Sequence, residues 1–204
     1  MTTVYLVRHG ETQWNQERRY QGQQDTPLNH VGRMQAERVA QYLSDLGIDF
    51  LISSDLLRAR DTAAIIGKSL ELPVICCHLW RERDYGRWEG LTREEIQKLY
   101  PDEWHSYRSN PKLTAPGGGE TLAELQSRAI EAMHWIFDQY GCYRGYSGIV
   151  VSHGGLLRAL LAWITRQEKP QFYLDNGGIT VVKVHSIDRL AVVSINETSH
   201  LVDL

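Results

Sequence analysis

A chain of 204 residues, 42% apolar and 23% charged, can bury a sizeable core and lacks the polar bias of a disordered chain. A net charge of −3 without any basic tract argues against an electrostatic nucleic-acid binder. The longer apolar stretches, such as 155–165, are interrupted and too short to span a bilayer, and the first residues read as a strand, not as a signal peptide. Three cysteines without framework spacing, Cys76, Cys77 and Cys142, point to reduced thiols in a cytoplasmic protein.

The first predicted strand is Val4-Tyr5-Leu6-Val7, an apolar run that stops at Arg8-His9-Gly10. A polar stretch, 11–20, and a loop, 21–29, follow. Asn29 can cap a helix over 31–46, where Val31, Met34, Val39, Leu43 and Leu46 suit an amphipathic face, and Gly47 ends it. Phe50-Leu51-Ile52 reads as a short buried strand. Ser53-Ser54-Asp55 stops it and caps a helix over 56–70, and Pro73-Val74-Ile75-Cys76 forms a third strand. This β-α-β-α-β order predicts a parallel sheet with helices on its faces.

The pattern breaks over 79–119, which is rich in Arg, Trp, Tyr and Pro. It holds one helical piece, 92–99, with Thr92 and Glu95 as a capping box, and reads as an excursion over the carboxyl end of the sheet, a lid or substrate wall. Gly117-Gly118-Gly119 reads as a flexible turn, since no Gly-Lys-Ser/Thr follows to make a phosphate loop. After a helix over 121–140, Gly148-Ile149-Val150-Val151-Ser152-His153 repeats the opening design and runs straight into a helix over 156–165. The stretches 178–184 and 190–195 form a hairpin or two neighbouring strands, with one strand here antiparallel. The expected fold is a three-layer α/β/α sandwich with a mostly parallel central sheet, in one domain spanning 1–204.

Strands ending in His9 and His153, and a helix opening with Leu56-Leu57-Arg58, send their polar groups to the sheet's carboxyl edge, where open α/β folds bind ligands. Arg8 and Arg58 are forks suited to tetrahedral oxyanions, and the two imidazoles can change protonation near neutrality. Gly154 and Gly155 lie where free N–H groups begin a helix, an anion site. Such a ring would bind a phosphoryl group. No Asp, Glu or His cluster has metal-ligand spacing, so neither metal nor cofactor is expected. Trp88 and Trp104 are expected to pack, and His200 to be structural.

The chain resembles the histidine phosphatase superfamily, also called phosphoglycerate mutase-like. The motifs that carry the resemblance are Leu6-Val7-Arg8-His9-Gly10-Glu11-Thr12 with Trp14-Asn15, Ser54-x-Leu56-x-Arg58-Ala59-x-x-Thr62-Ala63, Leu79-Trp80-Arg81-Glu82 with Gly86-x-Trp88-Glu89-Gly90, Gly118-Gly119-Glu120-Thr121, and Val151-Ser152-His153-Gly154-Gly155. The resemblance implies that His9 is a nucleophile that becomes a phosphohistidine. It implies that Arg8, Arg58 and His153 clamp the phosphoryl oxygens with help from Asn15, and that Glu82 is the general acid and then the base. Glu82 sits in Arg81-Glu82-Arg83-Asp84, where a neighbouring Arg could pair with it, and Glu89 is a rival carboxylate. Gln21 and Gly22 are candidate loop contacts to the ligand, with Gly154.

The implied reaction is metal-free phosphomonoester hydrolysis. The implied substrates are small phosphorylated metabolites: phosphoglycerates, phosphoserine, α-ribazole phosphate or a broad range. Neither nucleic acid nor membrane is an expected partner, and a homodimer stays open. The alternatives are a phosphoglycerate mutase, which by resemblance carries a longer insertion after the Glu82 region, and a non-catalytic phosphate-binding module. Arg83, Arg87, Arg93, Arg108 and Lys112 of the excursion would suit an acidic substrate.

Overall fold

The computed structural model describes residues 1–140, 145–167, 172–186 and 188–204; Cys142, read above as a reduced thiol, lies outside them. The described residues form a six-stranded sheet: β1 (Thr2–Arg8), β2 (Phe50–Ser53), β3 (Val74–Cys76), β4 (Ser147–Ser152), β5 (Ile179–Ser186) and β6 (Arg189–Glu197). The spatial order is β3-β2-β4-β1-β5-β6. Strands β3, β2, β4 and β1 are parallel, β5 runs against β1, and β6 runs against β5. The expected single antiparallel strand is therefore β5.

Two apolar clusters, one on each face of the sheet, explain why β1 and β4 read as near-continuous apolar runs. On one face Val4, Leu6, Ile52 and Val150 pack with Leu125, Met133 and Ile136 of α6 (Leu122–Tyr140) and Leu156 and Leu160 of α7 (Gly154–Thr165). On the other, Val7, Leu51, Ile149 and Val151 pack with Val39 and Leu43 of α2 (His30–Leu43) and Ala63 and Ile66 of α3 (Leu57–Leu70). This is the expected three-layer arrangement. Val4, Leu6 and Val7 are fully buried; together they contribute on the order of 5–9 kcal/mol. That is enough to offset the several kcal/mol that a largely buried Arg8 at the same strand's end costs.

Local chemistry differs from expectation in four places. Residues 13–16 form a one-turn helix, α1 (Gln13–Gln16), closed by a capping box between Thr12 and Asn15. No apolar period announces it. Ser53-Ser54-Asp55 does not cap α3, whose N-cap is Leu56 without a side-chain bond. The Asp55 carboxylate is held instead by Arg81, and Asp25, 32 residues upstream, accepts from the Leu57 N–H at 2.8 Å. Pro101 does not interrupt the excursion but opens a second helix there, α5 (Pro101–Ser109), after α4 (Arg93–Leu99), because a helix's first position needs no N–H. Gly117 is not in a flexible turn: it is buried at φ 59, and a β-carbon there would collide with the Tyr85 carbonyl.

Trp88 is fully buried, with Trp104 and Tyr107 rings at 5.8 and 5.4 Å, so it packs as expected. His200 Nε2 donates to the Gly177 carbonyl and its ring lies by the Tyr42 ring, a structural placement. Among the described residues no helix is long and apolar enough to cross a membrane.

Candidate active site

β1 and β4 are neighbours in register, with Arg8 opposite Ser152, so His9 and His153 leave the sheet side by side. Their ring centroids are 5.1 Å apart. The His9 N–H donates to the Ser152 carbonyl at 2.9 Å, which fastens the two strand ends together. Both imidazoles are buried. His9 Nδ1 lies 2.7 Å from the Gly10 carbonyl, which can only accept, so Nδ1 carries the proton. Arg58 Nε donates to His9 Nε2 at 3.2 Å, consistent with a lone pair on that nitrogen.

Arg58, on the first turn of α3, is fully buried. Its Nη2 donates to the Gly22 carbonyl at 2.7 Å and its Nη1 to the Gln24 carbonyl at 2.8 Å. Arg8 Nη1 donates to the Leu174 carbonyl at 2.6 Å. Burial pulls both guanidinium pKa values down to about 10, so both remain cationic at neutral pH. Arg8 Nε and both ring nitrogens of His153 are buried without a protein hydrogen-bond partner.

Glu82 enters from the excursion. Its Oε2 accepts from the Gly155 N–H at 2.8 Å, and its Oε1 from Leu156 N–H at 3.1 Å and Arg83 N–H at 2.8 Å. The N–H groups expected to be free at the start of α7 therefore meet a carboxylate of the chain itself. Arg128 of α6 anchors the backbone of this segment, donating to the Leu79, Arg81 and Glu82 carbonyls while paired with Glu120 at 2.7 Å. The bland alternative of a surface Arg–Glu82 pair is not what forms: Arg81 pairs with Asp55, and Arg83 is buried and donates to the Glu120 carbonyl.

Arg8, His9, Asn15, Gln21, Gly22, Arg58 and Glu82 line one cavity of about 410 Å³, within the range of small-molecule sites. Asn15 Oδ1 takes the capping bonds from Thr12, and the residue lines the cavity. Gln21 Oε1 accepts from Thr12 and Thr26. Gly154 sits beneath the guanidiniums of Arg8 and Arg158 rather than on the cavity wall. Of the five excursion cations named from the sequence, Arg93 reaches the cavity, whereas Arg83 is buried and Arg87 pairs with Glu103.

Sequence reasoning did not find Asn176, whose amide donates to the His9 carbonyl at 2.9 Å and to Asn15 Oδ1 at 3.3 Å. The available signal was Asn176-Gly177-Gly178 directly before an antiparallel strand, which must start at the edge where β1 ends. Arg128 and Tyr20 carried no signal of their own, because contacts between distant segments bring them to the site.

Burial, then the Arg58 guanidinium, holds both imidazoles well below the usual histidine range. In the unfolded chain they take up a proton near pH 6.5, and in the fold they do not. Stability is therefore indifferent to them above about pH 7.5 and falls as pH drops through about 6.5, by up to about 1.4 kcal/mol per pH unit for each histidine. Thermal unfolding between about pH 7.5 and 5.5 checks this. His153→Asn should lose less Tm across that window than the unsubstituted protein, and an equal loss would refute the assignment.

The pattern of the histidine phosphatase superfamily (branch 1) matches residues 4–198. Phosphoglycerate mutase-like protein 4 of Arabidopsis thaliana is 37% identical over 201 residues, covering 97% of this chain and 86% of that one. The metal-independent phosphoserine phosphatase of the same plant is 37% identical over 204 residues, covering 98% and 84%. The solved structure of Bacillus stearothermophilus YhfR superposes with a TM-score of 0.88 at 33% identity, covering 98% of this chain and 100% of that one.

Proposed function

The chain belongs to branch 1 of the histidine phosphatase superfamily and is a phosphomonoesterase of that type; we propose that it hydrolyses small phosphorylated metabolites, without a metal, through a phosphohistidine on His9. One observation carries the reading. Arg8 Nε, next to His9 in the chain, and the ring nitrogens of His153, whose ring lies 5.1 Å from that of His9, are buried without a protein partner, and a phosphoryl group would supply acceptor oxygens to their donors. The similarity to a phosphatase described as metal-independent supports the metal-free form.

In the proposed reaction, the phosphoryl oxygens draw the guanidinium of Arg58 away from His9 Nε2, whose 3.2 Å bond is long enough to exchange readily. The freed lone pair attacks phosphorus. The Nδ1–H···O=C bond to Gly10 holds the ring aimed and in the required tautomer. A depressed imidazole pKa keeps the nucleophile unprotonated at neutral pH. Arg8, Arg58 and His153 hold the equatorial oxygens, with Asn15 assisting. Glu82 gives a proton to the departing alkoxide, then takes one from the water that cleaves the phosphohistidine. Gln21 and Gly22 line the ligand's path, and segment 79–119 supplies Glu82, Tyr85, Arg93 and Glu94 to the wall facing its organic half. The adjacent free thiols of Cys76 and Cys77 support a cytoplasmic setting.

Product partition tests hydrolysis against phosphoryl return. Given 3-phosphoglycerate as a probe, the protein should release inorganic phosphate in excess over 2-phosphoglycerate. Dominant isomerisation would make the mutase reading the better one.

A further inference from the structure

The loop 21–24 is held from two sides, one of them facing the site described above. On the cavity side its Gly22 and Gln24 carbonyls receive the Arg58 fork. On the far side lies Glu89, which is absent from the cavity wall. Glu89 Oε1 accepts from the Gln23 N–H at 2.9 Å and from the Tyr85 N–H at 3.1 Å. It therefore ties the loop that carries Arg58's acceptors to the segment that carries Glu82. Gly22 makes room for it: φ is +52 there, and a β-carbon would collide with the Glu89 carboxylate. The negative charge behind the loop also favours the cationic form of buried Arg58.

We infer that Glu89 is a positioning residue, setting the Arg58 guanidinium against His9 Nε2 through the backbone of Gln23. The Gln23 side chain also reaches the Glu82 carbonyl and Arg81, but Glu89 is what holds the backbone itself, so without it the Gln23 N–H loses its acceptor. Arg58 then loses the fixed spacing of its two carbonyl acceptors. Because Arg58 converges on His9 and on any phosphoryl oxygen there, small displacements are costly. The inference rests on the hydrolase reading of the site.

A double-mutant cycle tests it, with p-nitrophenyl phosphate as substrate and inorganic phosphate as inhibitor. Glu89→Ala should lower kcat/KM by about tenfold or more and weaken phosphate inhibition by about fivefold, with the circular dichroism of the folded chain retained. Glu89→Gln keeps an acceptor oxygen and should stay within about threefold of the unsubstituted protein. In an Arg58→Ala background, Glu89→Ala should cost less than about twofold, since the group it positions is gone. Losses that multiply across the cycle would overturn the inference. So would Glu89→Gln as impaired as Glu89→Ala, or an unfolded Glu89→Ala. An unsubstituted protein inert to p-nitrophenyl phosphate, with phosphate binding still weakened by Glu89→Ala, would defeat the hydrolase reading alone.

Discussion

His9→Ala is expected to lower kcat/KM for any phosphomonoester by at least about 10⁴-fold, equivalent to about 5.5 kcal/mol of transition-state stabilisation. The size follows from what is lost. His9 Nε2 presents its lone pair to the Arg58 guanidinium, whereas the guanidiniums of Arg8 and Arg58 present only donors. Alanine leaves a cationic pocket that can still bind phosphate but has no atom to accept the phosphoryl group. Inorganic phosphate should therefore inhibit the variant about as well as it inhibits the parent. A fall in phosphate affinity that matched the fall in turnover would make His9 a binding residue instead.

The second large effect is expected at Glu82, and it should depend on the leaving group. Glu82→Gln keeps the shape and one acceptor oxygen for the α7 backbone N–H groups, but it cannot carry the transferred proton. For an alkyl phosphate, a poor leaving group, kcat/KM should fall by about 10²–10³-fold. For p-nitrophenyl phosphate the first step should be nearly unaffected, and phosphoenzyme should accumulate because the attacking water has lost its base. Equal losses on both substrates would assign Glu82 to orientation of the α7 terminus alone. The carboxylate's three backbone partners and the Arg128 anchor argue that its position is built into the fold rather than recruited by substrate.

Much of this site could be read from the sequence because strand ends are local features. The apolar runs before Arg8-His9-Gly10 and Ser152-His153-Gly154 fixed the sheet position of both imidazoles, and helical spacing placed Arg58 at the start of α3. What could not be read depends on contacts between distant segments. Asp25 closes α3 from 32 residues away, which leaves Asp55 to Arg81. Asn176 and the Leu174 carbonyl reach His9 and Arg8 only because β5 runs antiparallel beside β1. Glu89 read as a rival general acid because the sequence shows its carboxylate near Glu82 but not the backbone N–H groups that occupy it. The second helix of the excursion, α5, is not legible at Pro101 because proline's role at a helix start depends on whether the residues after it can pack, and α5 packs Trp104 and Tyr107 against Trp88.

The central claim is that the phosphoryl group passes through His9. Rapid quenching of the protein with a radiolabelled phosphomonoester, followed by peptide mapping, measures this most directly. The account predicts an acid-labile, base-stable label on the peptide containing His9, formed at a rate no slower than kcat and missing from His9→Ala. A folded, turning-over protein that never carries label on His9, or carries it on another residue, would contradict the account.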